Sequence, residues 1–101
     1  MQTHVALLGA GKIGDAIINL LAASGDYALT VVDRDPARLA QLGQAGINTS
    51  SIDCSDAAAL AKLLPGHDVV MSASPYYLTP VIAGAARNAG AHYFDLTEDV
   101  A

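Results

Sequence analysis

Three features predict an α/β fold, a doubly wound parallel sheet sandwiched in three α/β/α layers. Short runs are apolar on consecutive residues, helical-period stretches separate them, and a glycine-rich corner joins the first run to the first helix. Runs such as HVALL and ALTVV lack the apolar–polar alternation of a half-exposed sheet, which suits strands covered on both faces. A chain of 101 residues, 52% of them hydrophobic, holds one such domain with a real core and has no room for a second.

The first strand is expected at 4–8 (HVALL), stopped by Gly9. A helix follows, with Ile13, Ile17, Leu20, Leu21 and Ser24 at helical spacing, Asp15 and Asn19 off that stripe, and Gly25 as a left-handed stop. The second strand is 28–32 (ALTVV); Asp35 then caps a helix with Pro36 in its first position, Leu39 and Leu42 point one way, and Gly46 closes it. A third strand at 47–52 is less hydrophobic and therefore belongs nearer an edge. Residues 56–64 form a short helix on Leu60, Leu63 and Leu64, ended by Pro65 and Gly66, and 68–73 (DVVMSA) is the fourth strand. The last helix, 79–89, takes Thr79 as cap and Pro80 as first residue, buries Val81, Ile82, Ala85, Ala86 and Ala89, and stops at Gly90 before a fifth strand at 92–96 (HYFDL). Strands alternating with helices imply right-handed crossovers, and the order 3-2-1-4-5 places the first strand centrally. The crevice then lies between the carboxyl ends of strands one and four, where a ligand binds in such sheets.

Gly9, Gly11 and Gly14 match G-x-G-x-x-G between a strand and a helix, the context that this Rossmann-type fingerprint requires. The first glycine permits the tight turn, the second removes a Cβ that would collide with pyrophosphate, and the third lets the helix approach the strand. The helix N-terminus presents unpaired N–H groups to phosphate oxygens. Lys12 and Ile13 complete the turn. Asp33 stands nineteen residues beyond Gly14, at the end of the second strand, where a carboxylate accepts the hydroxyls of an adenosine ribose. Its charge favours NAD and repels the 2'-phosphate of NADP, while Arg34 and Arg38 are placed to stack on adenine or to meet that phosphate. NAD is therefore the leading cofactor and NADP the second. Asp53 closes the third strand at the same edge, and two readings stand: acceptor from the adenine amine, or helix cap together with Ser55. Cys54 is a small buried residue beside it. Ser72, Ala73, Ser74 and Pro75 leave the fourth strand toward the nicotinamide, where small residues admit a flat ring. Tyr76 and Tyr77 either shape the substrate side or pack against a neighbouring domain.

Several function classes are excluded. Five basic residues against ten acidic ones, net charge -5, leave no basic run for nucleic acid. One cysteine rules out an internal disulfide, and the histidines His4, His67 and His92 show no metal-ligand spacing and fall away from the crevice, so neither a metal site nor a catalytic residue is assigned. No apolar stretch reaches the length of a membrane span and the N-terminus lacks a signal pattern, so a soluble, cytoplasmic protein is expected. The mean hydropathy of +0.36 fits a buried parallel sheet or a surface meant for a missing partner. The chain stops directly after the fifth strand, which reads as an N-terminal piece of a larger protein. Asp95 and Glu98, near that end, are candidates for contact with an amine-bearing substrate or a second domain.

The stretches HVALLGAGKIG, VVDRD, SIDCSD and AHYFDLTED resemble the N-terminal domain of saccharopine dehydrogenases and related reductases, the branch that includes lysine 6-dehydrogenase and carboxynorspermidine dehydrogenase. The resemblance runs over essentially the whole chain and is most specific in its closing run. It implies pyrophosphate on Gly9, Gly11 and Gly14, cofactor choice at Asp33, adenine by Asp53, and nicotinamide bordered by residues 72–75. It also implies oxidation or reduction of a C–N bond in a small amine or amino acid, completed by a second domain that binds substrate and contributes to a homodimer. The competing class is regulatory: LGAGKIG and VVDRDPARL also resemble the NAD-sensing domain of potassium-uptake regulators. A methyltransferase is a third candidate, disfavoured by the strict third glycine.

Overall fold

Five strands and four helices alternate along the chain: β1 (Thr3–Leu8), α1 (Lys12–Ser24), β2 (Tyr27–Asp33), α2 (Pro36–Gln44), β3 (Asn48–Ser51), α3 (Ala57–Leu63), β4 (Val69–Ser72), α4 (Thr79–Asn88) and β5 (His92–Asp95). A 3-10 turn, Tyr76–Leu78, leads into α4. These come from a computed structural model that describes residues 3–9, 12–44, 47–73 and 76–95. All strand pairs are parallel, in the order β3-β2-β1-β4-β5. The expected topology is therefore present, with β1 central.

Register and alternation divide the core into two layers. Ala6, Leu8, Val32 and Val70 point to one side, where they meet Leu60 and Leu64 around α3 and Ile82, Ala85 and Ala86 of α4. Val5, Leu7, Leu29 and Val31 point to the other, against Ile18 and Leu21 of α1 and Leu39 and Leu42 of α2. Because β1 is buried on both faces, it needs no polar side chain between Val5 and Leu8. The polar strand β3 (NTSS) lies at the edge, as its composition predicts.

The helix punctuation follows the sequence closely. Asp35 caps α2, its Oδ1 accepting from the backbone N–H of Ala37 at 3.0 Å, and Pro36 takes the first helical position. Gly25, Gly66 and Gly90 sit at φ of +73°, +92° and +74°, the left-handed stops expected of them. Gly46 lies outside the described residues.

Several details differ; β4, for one, is two residues shorter than 68–73. In α1 the buried positions are Ile18 and Leu21, with Ile17 partly covered, while Leu20 is 68% exposed and Ser24 is also outside. The sheet meets the stripe one position over from the one the spacing suggested. Strand β3 is two residues shorter than 47–52. Thr79 is the first helical residue of α4, not its cap: Leu78 holds the cap position without a side-chain bond, and Thr79 donates elsewhere. Asp56, not Asp53 with Ser55, caps α3, accepting from the N–H of Ala59 at 3.1 Å.

Candidate functional site

The carboxyl edge of the sheet is laced together just beyond the strand ends. The N–H of Gly9 donates to the carbonyl of Val32 at 2.8 Å, that of Ala73 to Leu8 at 2.8 Å, and that of Ile52 to Asp33 at 3.0 Å. The exits of β1, β4 and β3 are thus held at fixed heights. Gly9 has φ of +90°, a conformation that residues bearing a Cβ rarely adopt, so the chain leaves β1 through a turn that selects glycine. Three residues later α1 has begun, with Gly14 inside its first turn. The helix N-terminus therefore opens over the end of the central strand, where its unpaired amides suit a phosphate. Gly11 lies outside the described residues, as do the side chains of Lys12 and Ile13.

Beside this turn, Asp33 ends β2, half-buried. Its Oδ1 accepts from the backbone N–H groups of Arg34 at 2.7 Å and Asp35 at 3.2 Å, which fixes the carboxylate at the rim. Arg34 is exposed on the same turn. Across the β2–β3 pair, Asp53 is also exposed; its Oδ1 accepts from the N–H of Ser55 at 2.9 Å and from the Ser55 hydroxyl at 2.7 Å. The Ser55 amide first, then its hydroxyl, and to a lesser degree the charge of Arg34 pull the Asp53 carboxyl below the ordinary aspartate value, so it is ionised at neutral pH. Cys54 is buried in the core layer beneath α3 and α4.

At the other end of the crevice, Ser72 is 1% exposed and Ala73 half-buried, while Ser74, Pro75 and the Tyr76 side chain are outside the described residues. Ser72 pairs with Asp95 in the β4–β5 register and Val70 with Tyr93, so these four share the face toward α4. Thr79, at the start of α4, donates to Asp95 Oδ2 at 3.1 Å. The Tyr93 hydroxyl is buried and has no hydrogen-bond partner among the described residues. Burial pushes its ionisation upward, and the neighbouring Ser72, Asp95 and Thr79 modify that shift. Sequence reasoning gave Thr79 to helix capping, and only the three-dimensional approach of α4 to β5 reveals its tie to Asp95. Glu98 lies outside the described residues. Tyr77 is exposed.

The three histidines gather at the opposite, amino edge. The His4 N–H donates to the Asp68 carboxylate, the His92 N–H donates to the Asp68 carbonyl at 3.0 Å, and His67 lies near the Leu64 carbonyl and the Thr30 hydroxyl. None reaches the crevice. Among the described residues no group of three or more His, Cys, Asp or Glu is disposed to hold a metal, and no helix is long and apolar enough to cross a membrane.

A doubly wound sheet of this order, with a glycine turn feeding a helix N-terminus and a fixed acid on the neighbouring strand, defines a dinucleotide-binding domain of the Rossmann type. Residues 5–100 match the model of the saccharopine dehydrogenase NADP binding domain, and the chain belongs to that family. It is 37% identical over 87 residues to saccharopine dehydrogenase [NADP(+), L-glutamate-forming] of Saccharomyces cerevisiae, an alignment that covers 85% of this chain and 20% of that enzyme. The apo structure of the L-Glu-forming saccharopine dehydrogenase from the same yeast superposes with a TM-score of 0.85 at 32% identity, over 95% of this chain and 22% of that one. The NADPH complex of the quinone oxidoreductase QOR2 from Escherichia coli gives 0.76 at 26% identity, over 86% and 34%. The TrkA-N domain of the inner membrane protein ybaL from Escherichia coli gives 0.78 over 94% and 73%, but at 19% identity that likeness shows the fold alone. The regulatory reading is accordingly the weaker. A nicotinamide dinucleotide is the cofactor of this family's domain; the preference for NAD over NADP expected from Asp33 is not supported, since the family description and the yeast enzyme's name specify NADP and the QOR2 structure holds NADPH.

Proposed function

We propose that this chain is the NADP-binding domain of an oxidoreductase that makes or breaks a C–N bond in an amino acid or polyamine, and that it forms the N-terminal part of a longer protein. The arrangement of the Gly9 turn, the α1 N-terminus and the Asp33–Arg34 corner along one laced edge carries the reading. The relatives' greater length supports a second, substrate-binding domain, as does Phe94, 52% exposed on the open edge strand β5. Dimerisation belongs to that second domain.

Within the domain, each residue has a physical task. The Gly9–Gly14 segment receives the pyrophosphate on the α1 amides. Asp33 takes a ribose hydroxyl, and Arg34, exposed beside it, faces the 2'-phosphate. Asp33 by itself favours an unphosphorylated ribose, but its Oδ1 is already turned to the amides of Arg34 and Asp35, which offsets part of its repulsion. Asp53 and the backbone of Cys54 border the adenine, and residues 72–75 border the nicotinamide ring, which supplies the hydride chemistry when bound. Catalytic acid–base groups are assigned to the second domain.

Titration calorimetry with NADP, NAD and S-adenosylmethionine tests this. NADP is expected to bind most tightly, with a dissociation constant of roughly 0.1–1 mM because half of the nicotinamide pocket belongs to the second domain. Tightest binding of S-adenosylmethionine overturns the oxidoreductase reading, and tighter NAD than NADP overturns the cofactor assignment.

A further inference from the structure

The adenosine end holds one charge that the glycine fingerprint does not explain. Asp33 is in register with Ser51, and its carbonyl accepts from Ile52, so Arg34 and Asp53 leave β2 and β3 side by side. Neighbouring strands run about 4.8 Å apart, which leaves residues one or two steps past a tied pair within reach of each other's charge. Both side chains are exposed, and the Arg34 charge acts on the Asp53 carboxylate. Asp53 is itself anchored, because the Ser55 amide and hydroxyl both bind its Oδ1.

We propose that Asp53 is a specificity-determining residue, an anchored internal anion that competes with the ribose 2'-phosphate of the cofactor for Arg34. The inference rests on the dinucleotide reading above and adds a residue outside the ribose-binding acid. An arginine recognises a phosphate by charge-assisted hydrogen bonds, and it gains less from doing so when a fixed carboxylate already shares its field. A ribose with a free 2'-hydroxyl makes no demand on Arg34, so what Asp53 does beside the adenine acts alike on NAD and NADP, and the ratio of their affinities reads the competition. The site is thereby tuned toward weak discrimination between phosphorylated and unphosphorylated ribose, despite the arginine.

Asp53→Asn is the informative variant, since the amide oxygen still accepts from Ser55 while the charge is gone. Dissociation constants for NADP and NAD are measured by calorimetry on the 101-residue chain in four forms: unchanged, Asp53→Asn, Arg34→Ala and the double variant. Asp53→Asn is expected to raise the affinity for NADP relative to NAD about threefold to fivefold, the scale of an exposed charge pair. The gain disappears in the Arg34→Ala background and shrinks at 0.5 M salt. Equal tightening of both dinucleotides, or a gain that persists without Arg34, overturns the competition while leaving the dinucleotide reading intact. If neither dinucleotide binds any of the four forms, the reading of the domain itself fails, and this inference with it.

Discussion

Tyr93→Phe should make the domain more stable. The Tyr93 ring packs against the core layer that contains Val70, Ile82 and Ala86, and phenylalanine preserves that packing. What it removes is a hydroxyl oxygen that is buried and lacks a hydrogen-bond partner among the described residues. Burying an unbonded hydroxyl costs about 1–3 kcal/mol by protein mutational measurements. Because Tyr93 as a whole is only half-buried, the low end applies, and a gain of about 1 kcal/mol is expected. For a domain of this size that raises the melting temperature by about 4–8 °C. Urea denaturation at pH 7 gives the free energy and thermal melts give the shift. An alkaline arm adds a second readout, because burial raises the folded-state pKa of Tyr93. Above the unfolded tyrosine value of about 10 the unfolded chain loses that proton before the folded one, so stability falls as pH rises. The Phe variant should lose less stability across that window. A destabilisation of about 1 kcal/mol or more at neutral pH would show that the hydroxyl is hydrogen-bonded and would refute the reasoning.

Other perturbations probe the remaining links. Gly9→Ala forces a side-chain-bearing residue to φ of +90° and should cost about 1–3 kcal/mol in urea denaturation while also weakening NADP binding. Asp56→Ala removes the cap of α3 and should cost about 1 kcal/mol, seen as a lower thermal midpoint with unchanged cofactor affinity. Asp53→Asn should flatten the acid limb of a stability profile. The folded carboxyl titrates below its unfolded value, so its contribution is present above about pH 4 and is lost as pH falls through the folded pKa; an asparagine has nothing to lose there, and an unchanged acid limb would contradict the Ser55 contacts.

What the sequence revealed depended on how local the cause was. Strand order, the edge position of β3 and the left-handed glycines were legible because apolar runs, a polar run and positive φ each leave a mark within a few residues. The buried side of α1 was not. A helix with Ile13, Ile17, Ile18, Leu20 and Leu21 offers two adjacent apolar stripes, and only the sheet decides that Ile18 goes in and Leu20 out. Thr79 before Pro80 has the local look of a cap, yet its hydroxyl goes to Asp95, sixteen positions away, a contact made by the approach of α4 to β5. Cofactor choice was ambiguous for an electrostatic reason: Asp33 and Arg34 are consecutive residues of opposite charge at the same rim, and the sequence order does not say which one the 2'-position meets.

The central claim concerns where a dinucleotide sits, and a nitrogen-15 NMR titration of the domain with NADP reads that position residue by residue. The account predicts saturable shifts in the amides of Gly9, the first turn of α1, Asp33, Arg34 and Ala73, along the carboxyl edge. Shifts confined to the amino edge, around His4, His67, Asp68 and His92, would contradict it.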